Sequence, residues 1–132
     1  MSVDASGLVP LSSRIDSKGP LELALLVRRT GTILDAWARN GVSHEVVSVM
    51  TATLIASLDA IVEAVGGTST QTAVVETDDR FLIATKVDGG AVLLLVAPRS
   101  MGIDQLRRKS LELARDVGGP RARAPRGGHA RP

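Results

Sequence analysis

Two histidines, His44 and His129, are the only imidazoles in this 132-residue chain, and there is no cysteine. Nucleophilic catalysis needs a nucleophile held beside a base. A structural or catalytic zinc site needs three or four ligands at set spacing. His44 falls in the first turn of a helical pattern and reads as a solvated or capping residue. His129 falls in a basic tail. Asp78-Asp79 are adjacent carboxylates, but a calcium site draws several oxygens from spaced positions, so the pair reads as a turn. The pairs Gly66-Gly67, Gly89-Gly90 and Gly118-Gly119 lack the Gly-x-x-x-x-Gly-Lys-Ser/Thr spacing that cradles phosphates, and they read as turns and helix ends. Arg107-Arg108-Lys109 fits a solvated helix face, or else a contact with nucleic acid or acidic lipid. Trp37, alone near a strand end, points to core or dimer packing rather than to a ligand. The expectation is a protein that is not an enzyme, with no catalytic, cofactor-binding or metal-binding residue and no cofactor.

Composition narrows the class. One domain is expected from the length. Nothing in the cysteine usage suggests an oxidising compartment. No uninterrupted apolar run approaches the roughly 18 residues of a membrane span, and residues 1–20 lack the charged start and apolar run of a signal peptide. No membrane span and a cytoplasmic location are therefore expected. The net charge of +2 conceals an asymmetry. Residues 20–119 hold ten Lys or Arg against twelve Asp or Glu, a net of −2. Residues 120–132 carry Arg121, Arg123, Arg126 and Arg131 and no acid. The basic balance belongs to the tail, and the only aromatic residues are Trp37 and Phe81. No specific nucleic-acid recognition is expected from such a domain. The arginine tail would add weak affinity for any polyanion, or serve only as a solubilising end.

The elements follow from periodicity. Leu21 to Arg29 alternates as a strand, Arg29-Thr30-Gly31 turns, and Thr32 to Ala38 returns as the second strand of a hairpin. Asn40-Gly41 is a turn signal. Ser43 is a good N-cap for a helix that closes at Gly66-Gly67. Thr72–Thr77, Phe81–Val87 and Ala91–Ala97 are three further strands, the last without a polar break and so covered on both faces. Ile103 to Val117 is a second helix, ended by Gly118-Gly119-Pro120. The fold class is α+β, a five-stranded mostly antiparallel sheet with packed helices in the order β-β-α-β-β-β-α. The domain division is 1–19, flexible or weakly helical; 20–119, the folded domain; and 120–132, a disordered basic tail.

The helix from Ser43 to Val65 is apolar around much more than the stripe a surface helix needs. Val47, Met50, Leu54, Leu58, Ile61 and Val65 make the stripe expected to face the sheet. Val49, Ala56, Ala60 and Ala64 widen it on one side, Ile55 and Val62 on the other. Glu45, Ser48, Ala52, Asp59 and Glu63 form the polar strip. Such a helix calls for a second partner besides its own sheet.

Ala24-Leu25-Leu26-Val27 with Thr30-Gly31-Thr32-Ile33-Leu34, the helix to Gly66-Gly67, Val74-Val75-Glu76, Phe81-Leu82-Ile83, Val92 to Val96 and the helix from Ile103 together resemble the Roadblock / dynein light chain superfamily, over about residues 21–117. The resemblance implies homodimers or heterodimers in which third strands pair edge to edge and the long helices lie side by side. In bacteria and archaea it also implies regulation of small Ras-like GTPases. Related light chains act as adaptors. The family's first helix has no clear counterpart in residues 1–19.

On this reading the chain is a dimeric interaction module that binds and regulates a small Ras-like GTPase. The dimer or partner interface is expected at Val49, Thr53, Ile55, Ala56, Ala60 and Val62 of the helix and Thr72, Ala73, Val74 and Val75 of the third strand. Small residues of that helix permit close approach of another backbone. The third strand has no charge before Glu76 and no proline to block pairing. The alternatives are a structural adaptor or scaffold subunit without GTPase contact, and a small-molecule sensor domain.

Overall fold

Two strands that are apolar on both faces form the middle of the sheet. In the computed structural model, which describes residues 10–39, 43–87 and 90–129 (118–129 by backbone alone), these are β1 (Leu23–Arg28) and β5 (Ala91–Pro98). They pair antiparallel, Leu25 opposite Leu94. β2 (Ile33–Ala38) pairs outside β1, and β4 (Arg80–Val87) outside β5. β3 (Thr72–Glu76) pairs with β4 and ends the sheet, whose order is β2-β1-β5-β4-β3. The Asn40-Gly41 and Asp88-Gly89 turns lie outside the described residues.

Helix α1 (His44–Ala64) covers one face and helix α2 (Ile103–His129) the other. Alternation divides the core accordingly. Leu23, Leu25, Val27, Val92 and Leu94 pack with Ile55 on the α1 side. Ala24, Leu26, Leu93 and Leu95 pack with Leu106, Leu113 and Val117 on the α2 side. Thr85 of β4 and Ser110 of α2 bring their hydroxyls to 2.8 Å within that second core. Both can donate and accept, so neither oxygen is orphaned.

The ends of α1 follow their local chemistry. The Ser43 side chain accepts from the Val46 amide. At the other end Gly66 takes φ +89, the Gly66 amide donates to the Glu63 carbonyl and the Gly67 amide to the Val62 carbonyl. This is a Schellman closure. A Cβ at Gly67 would lie 2.5 Å from Val62 Cγ1, so any larger residue there forces the valine side chain to shift.

Both ends of the described chain take defined backbone conformations. Residues 10–19 form an ordered strap containing a 3-10 turn, Leu11–Ser13, which buries Leu11 and Ile15 in the α2-side core. The Leu11 amide donates to Asp35 Oδ2 at 2.7 Å. The Arg39 guanidinium, over the Trp37 ring at 5.5 Å, donates to the carbonyls of Ser17, Gly19 and Leu21. The signal missed was a pair of apolar residues, Leu11 and Ile15, whose period is too short to register as an element. Residues 1–9 lie outside the described residues. At the other end α2 does not stop at Gly118 but runs to His129. Local propensity does not explain this continuation, since Gly118, Gly119, Pro120 and Pro125 all disfavour a helix interior. The expected tail is helical over 120–129, and residues 130–132 lie outside the described residues.

Candidate interaction surface

α1 presents a different stripe to the sheet from the one its hydropathy suggests. Ser48, Thr51 and Ile55 are its buried residues. Met50, Ile61 and Val65, expected to face the sheet, are 57%, 60% and 80% exposed. Ser48, expected on the polar strip, is fully buried. Its hydroxyl donates to the Gly31 carbonyl in the β1–β2 turn, and the Thr51 hydroxyl donates to the Val47 carbonyl at 2.7 Å. The reason is steric. A small hydroxyl that satisfies its own hydrogen bond lets the helix backbone approach the turn, where a large side chain would hold it off.

Asp59 anchors the far half of the same helix. Its carboxylate accepts from the Thr70 amide at 2.7 Å, from Lys86 Nζ at 2.9 and 3.1 Å, and from the Arg29 guanidinium at 2.6 Å. One side chain thus ties α1 to the β1–β2 turn, to β4 and to the loop before β3. The Thr70 amide first, and Lys86 second, hold its carboxyl down at about 2. Asp59, expected on the polar strip, is thus the helix's ion-paired anchor to the sheet.

These anchors turn the rest of α1 outward. At 100° per residue, Val49, Thr53, Ala56 and Ala60 line one flank and Met50, Ile61 and Val65 the other. Val46, Ser57 and Ala64 lie along the crown between them. All ten are exposed. Of the expected interface residues, Val49, Thr53, Ala56 and Ala60 stand on this surface. Val62 is half-buried against the sheet side. Ile55 is corrected outright, because its side chain is 0% exposed within the chain's own core. Val46, Met50, Ile61 and Val65, not among the expected interface residues, stand on the same exposed surface. An apolar circumference gives no signal to choose between stripes, whereas the positions of Ser48 and Asp59 do once their partners are known.

β3 supplies the second part. It pairs with β4 alone, leaving its other backbone edge without a strand partner among the described residues. Val74 sits opposite Ile83, so it lies on the α2 side, and Val75 sits opposite Leu82, on the α1 side. Both valines are exposed, as is Thr72, while Ala73 is half-buried. Among the described residues no His, Asp and Glu side chains cluster in a group of three or more that could hold a metal ion. A hollow of about 80 Å³ opens between α2 and the β3–β4 edge, lined by Thr72, Ile83, Thr85, Arg107, Ser110 and Leu111. It is far below the roughly 300 Å³ of an ordinary small-molecule site.

α1 is also long and apolar enough to cross a membrane by length and composition, with a mean hydropathy of 1.7. Its docked stripe and the ion-paired Asp59 account for it as a sheet-packed helix.

No family profile matches the sequence, and no curated protein matches it. The fold, in contrast, matches Roadblock domains. MglB of Myxococcus xanthus superposes with a TM-score of 0.71 at 14% identity, over 78% of this chain and 77% of that one. A Roadblock/LC7 domain from Streptomyces avermitilis gives 0.69 at 19% identity, over 75% and 83%. An MglB structure described as having a tetrameric arrangement gives 0.63 at 22% identity, over 74% and 77%. This chain has a Roadblock-like fold, an α+β sheet of five antiparallel strands between two helices. The likeness lies in the fold.

Proposed function

We propose that this chain is a non-catalytic Roadblock-type regulator that pairs with a second copy of itself and holds a small Ras-like GTPase on the paired surface. One observation carries the reading: α1 turns three large aliphatic side chains, Met50, Ile61 and Val65, to solvent, in a chain whose β3 edge has no strand partner among the described residues. Contiguous apolar surface of this kind marks an interaction site. An open strand without lysine or proline is a template for another strand. The Roadblock-like fold supports pairing through β3 with the two α1 helices side by side. The tetrameric arrangement described for one MglB neighbour fits a surface that self-associates. The GTPase is the partner that the Roadblock resemblance implies. Regulation would come from holding its switch loops in one arrangement, with no catalytic group donated.

Capture of partners from the native host, run with GDP and with a non-hydrolysable GTP analogue and read by mass spectrometry, tests the reading. A small GTPase enriched in one nucleotide state is expected. A nucleotide-independent set of other proteins overturns the GTPase part and leaves an adaptor. A strict monomer by light scattering at high concentration removes the basis of both.

A further inference from the structure

The free edge of β3 is defined atom by atom through its pairing with β4. The Lys86 amide donates to the Gln71 carbonyl at 3.0 Å, and the Thr77 amide to the Arg80 carbonyl at 2.9 Å. Backbone groups of successive residues in a strand point to opposite sides. Gln71, Ala73, Val75 and Thr77 therefore turn theirs to β4, and Thr72, Val74 and Glu76 turn theirs to the open edge. Side chains alternate as well. Thr72, Val74 and Glu76 stand opposite Thr85, Ile83 and Phe81, all on the α2 side. Ala73 and Val75 stand opposite Ala84 and Leu82, on the α1 side.

A second copy meets this edge by two-fold symmetry, each strand antiparallel to the other. Full overlap of the five residues of β3 sets Val74 opposite the partner's Val74, Ala73 opposite its Val75 and Thr72 opposite its Glu76. The residues whose backbone groups point outward then face one another, as hydrogen-bonded pairs require. Thr72 lines the hollow between α2 and the β3–β4 edge together with Arg107. Each copy's Glu76 is thereby carried to the mouth of the other's hollow, beside Arg107. Arg107 is exposed and makes no ion pair among the described residues. Glu76 is paired within its own chain with Arg99, whose guanidinium lies over the Phe81 ring at 5.0 Å. Its carboxylate is still 58% exposed, and a carboxylate has acceptor sites for a second guanidinium. Other registers lose this match. Sliding until Glu76 faces Glu76 opposes like charges, and sliding until Thr72 faces Thr72 leaves Glu76 beyond the overlap.

We propose that the β3 edge selects a second copy of this chain, paired antiparallel about Val74, through two reciprocal Glu76–Arg107 ion pairs on the α2 side. The proposal rests on the reading of the chain as a self-pairing module, and it names the residues that make the pairing one of like with like. An exposed ion pair is weak alone, but symmetry makes two, and reversing one residue turns both attractions into repulsions.

The test is sedimentation equilibrium of the full chain at low salt, for the parent, Arg107→Glu, Glu76→Arg and an equimolar mixture of the two variants. Each variant alone should dimerise at least about tenfold more weakly than the parent. The mixture should regain parent-like affinity, because every cross-copy pair is again of opposite sign, and that recovery shows both variants to be folded. Register is read separately from Val74→Cys in a chain with no other cysteine. Hydrogen-bonded partners lie about 5.5 Å apart at Cα, within disulfide reach, so mild oxidation should link the two copies. A dimeric parent whose variants dimerise equally well, or a mixture no tighter than either variant, overturns the ion pairs and leaves self-pairing standing. A dimeric Val74→Cys that stays unlinked overturns the register. A monomeric parent overturns self-pairing itself and this proposal with it.

Discussion

The Ser48 hydroxyl donates to the Gly31 carbonyl, joining the first half of α1 to the turn of the β1–β2 hairpin. Gly31 takes φ +99, and a Cβ there would lie 3.6 Å from Val49 Cγ2. The contact therefore joins a buried hydroxyl to a turn in the left-handed backbone region. Ser48→Ala should cost about 1–3 kcal/mol, since it leaves the Gly31 carbonyl without its donor. Gly31→Ala should cost about 1 kcal/mol or more, because an L side chain is strained at that φ. Urea denaturation of both variants checks this, with unchanged midpoints as the failing outcome.

Acid should loosen α1 through Asp59. Its carboxyl is held at about 2 in the folded chain against 3.8 for a free aspartate. A folded value below the unfolded one means that the unfolded chain binds the proton first, so stability rises with pH between the two. The Asp59 contribution is complete above about 4 and is lost as pH falls from there through about 2. Asp59→Asn should flatten the pH dependence of stability across that interval. A parallel fall in parent and variant would assign the effect to other carboxylates.

The strap should depend on Arg39. Its guanidinium donates to two strap carbonyls, those of Ser17 and Gly19, and to the Leu21 carbonyl just beyond the strap. Arg39→Met keeps much of the aliphatic stem over Trp37 and removes the donors. Tryptic cleavage after Lys18 should accelerate several-fold while the global melting temperature falls only modestly, since local opening is governed by local contacts. Cleavage at the parent rate would mean that the buried Leu11 and Ile15 hold the strap unaided.

Thr85 and Ser110 should be strongly coupled. Removing the Ser110 hydroxyl leaves a buried Thr85 oxygen without its partner, at a cost of about 1–3 kcal/mol. In Thr85→Val with Ser110→Ala both hydroxyls are gone, and the combined cost should be well below the sum of the single changes. Additive costs in chemical denaturation would refute the pairing.

The two flanks of α1 can be told apart by charge. Ala56→Arg and Ala60→Arg should each lower dimer mass in light scattering, because an unpaired charge buried in an interface costs several kcal/mol. If neither does, the mate lies against Met50, Ile61 and Val65, and Ile61→Asp should then dissociate the pair.

How much of this was written in the sequence differs from element to element. The five strands fall within a residue or two of where alternation, an unbroken apolar run and turn signals put them, because an outer strand alternates between faces and a central one is covered on both. The two ends of α1 were legible for the same local reason, a serine hydroxyl facing free amides and a glycine free to turn left-handed. What the sequence could not decide was rotation and reach. An almost wholly apolar helix can dock by any stripe, and only the partners of Ser48 and Asp59, on a turn, a strand and a loop remote in sequence, select the one that is buried. That selection put Ile55 inside and Met50, Ile61 and Val65 outside. The strap was hidden likewise, since Leu11 gains its burial from residues of β1, β5 and α2 that no local period reveals. Local conformation follows from neighbours along the chain. Which face is left for a partner follows from contacts made across it.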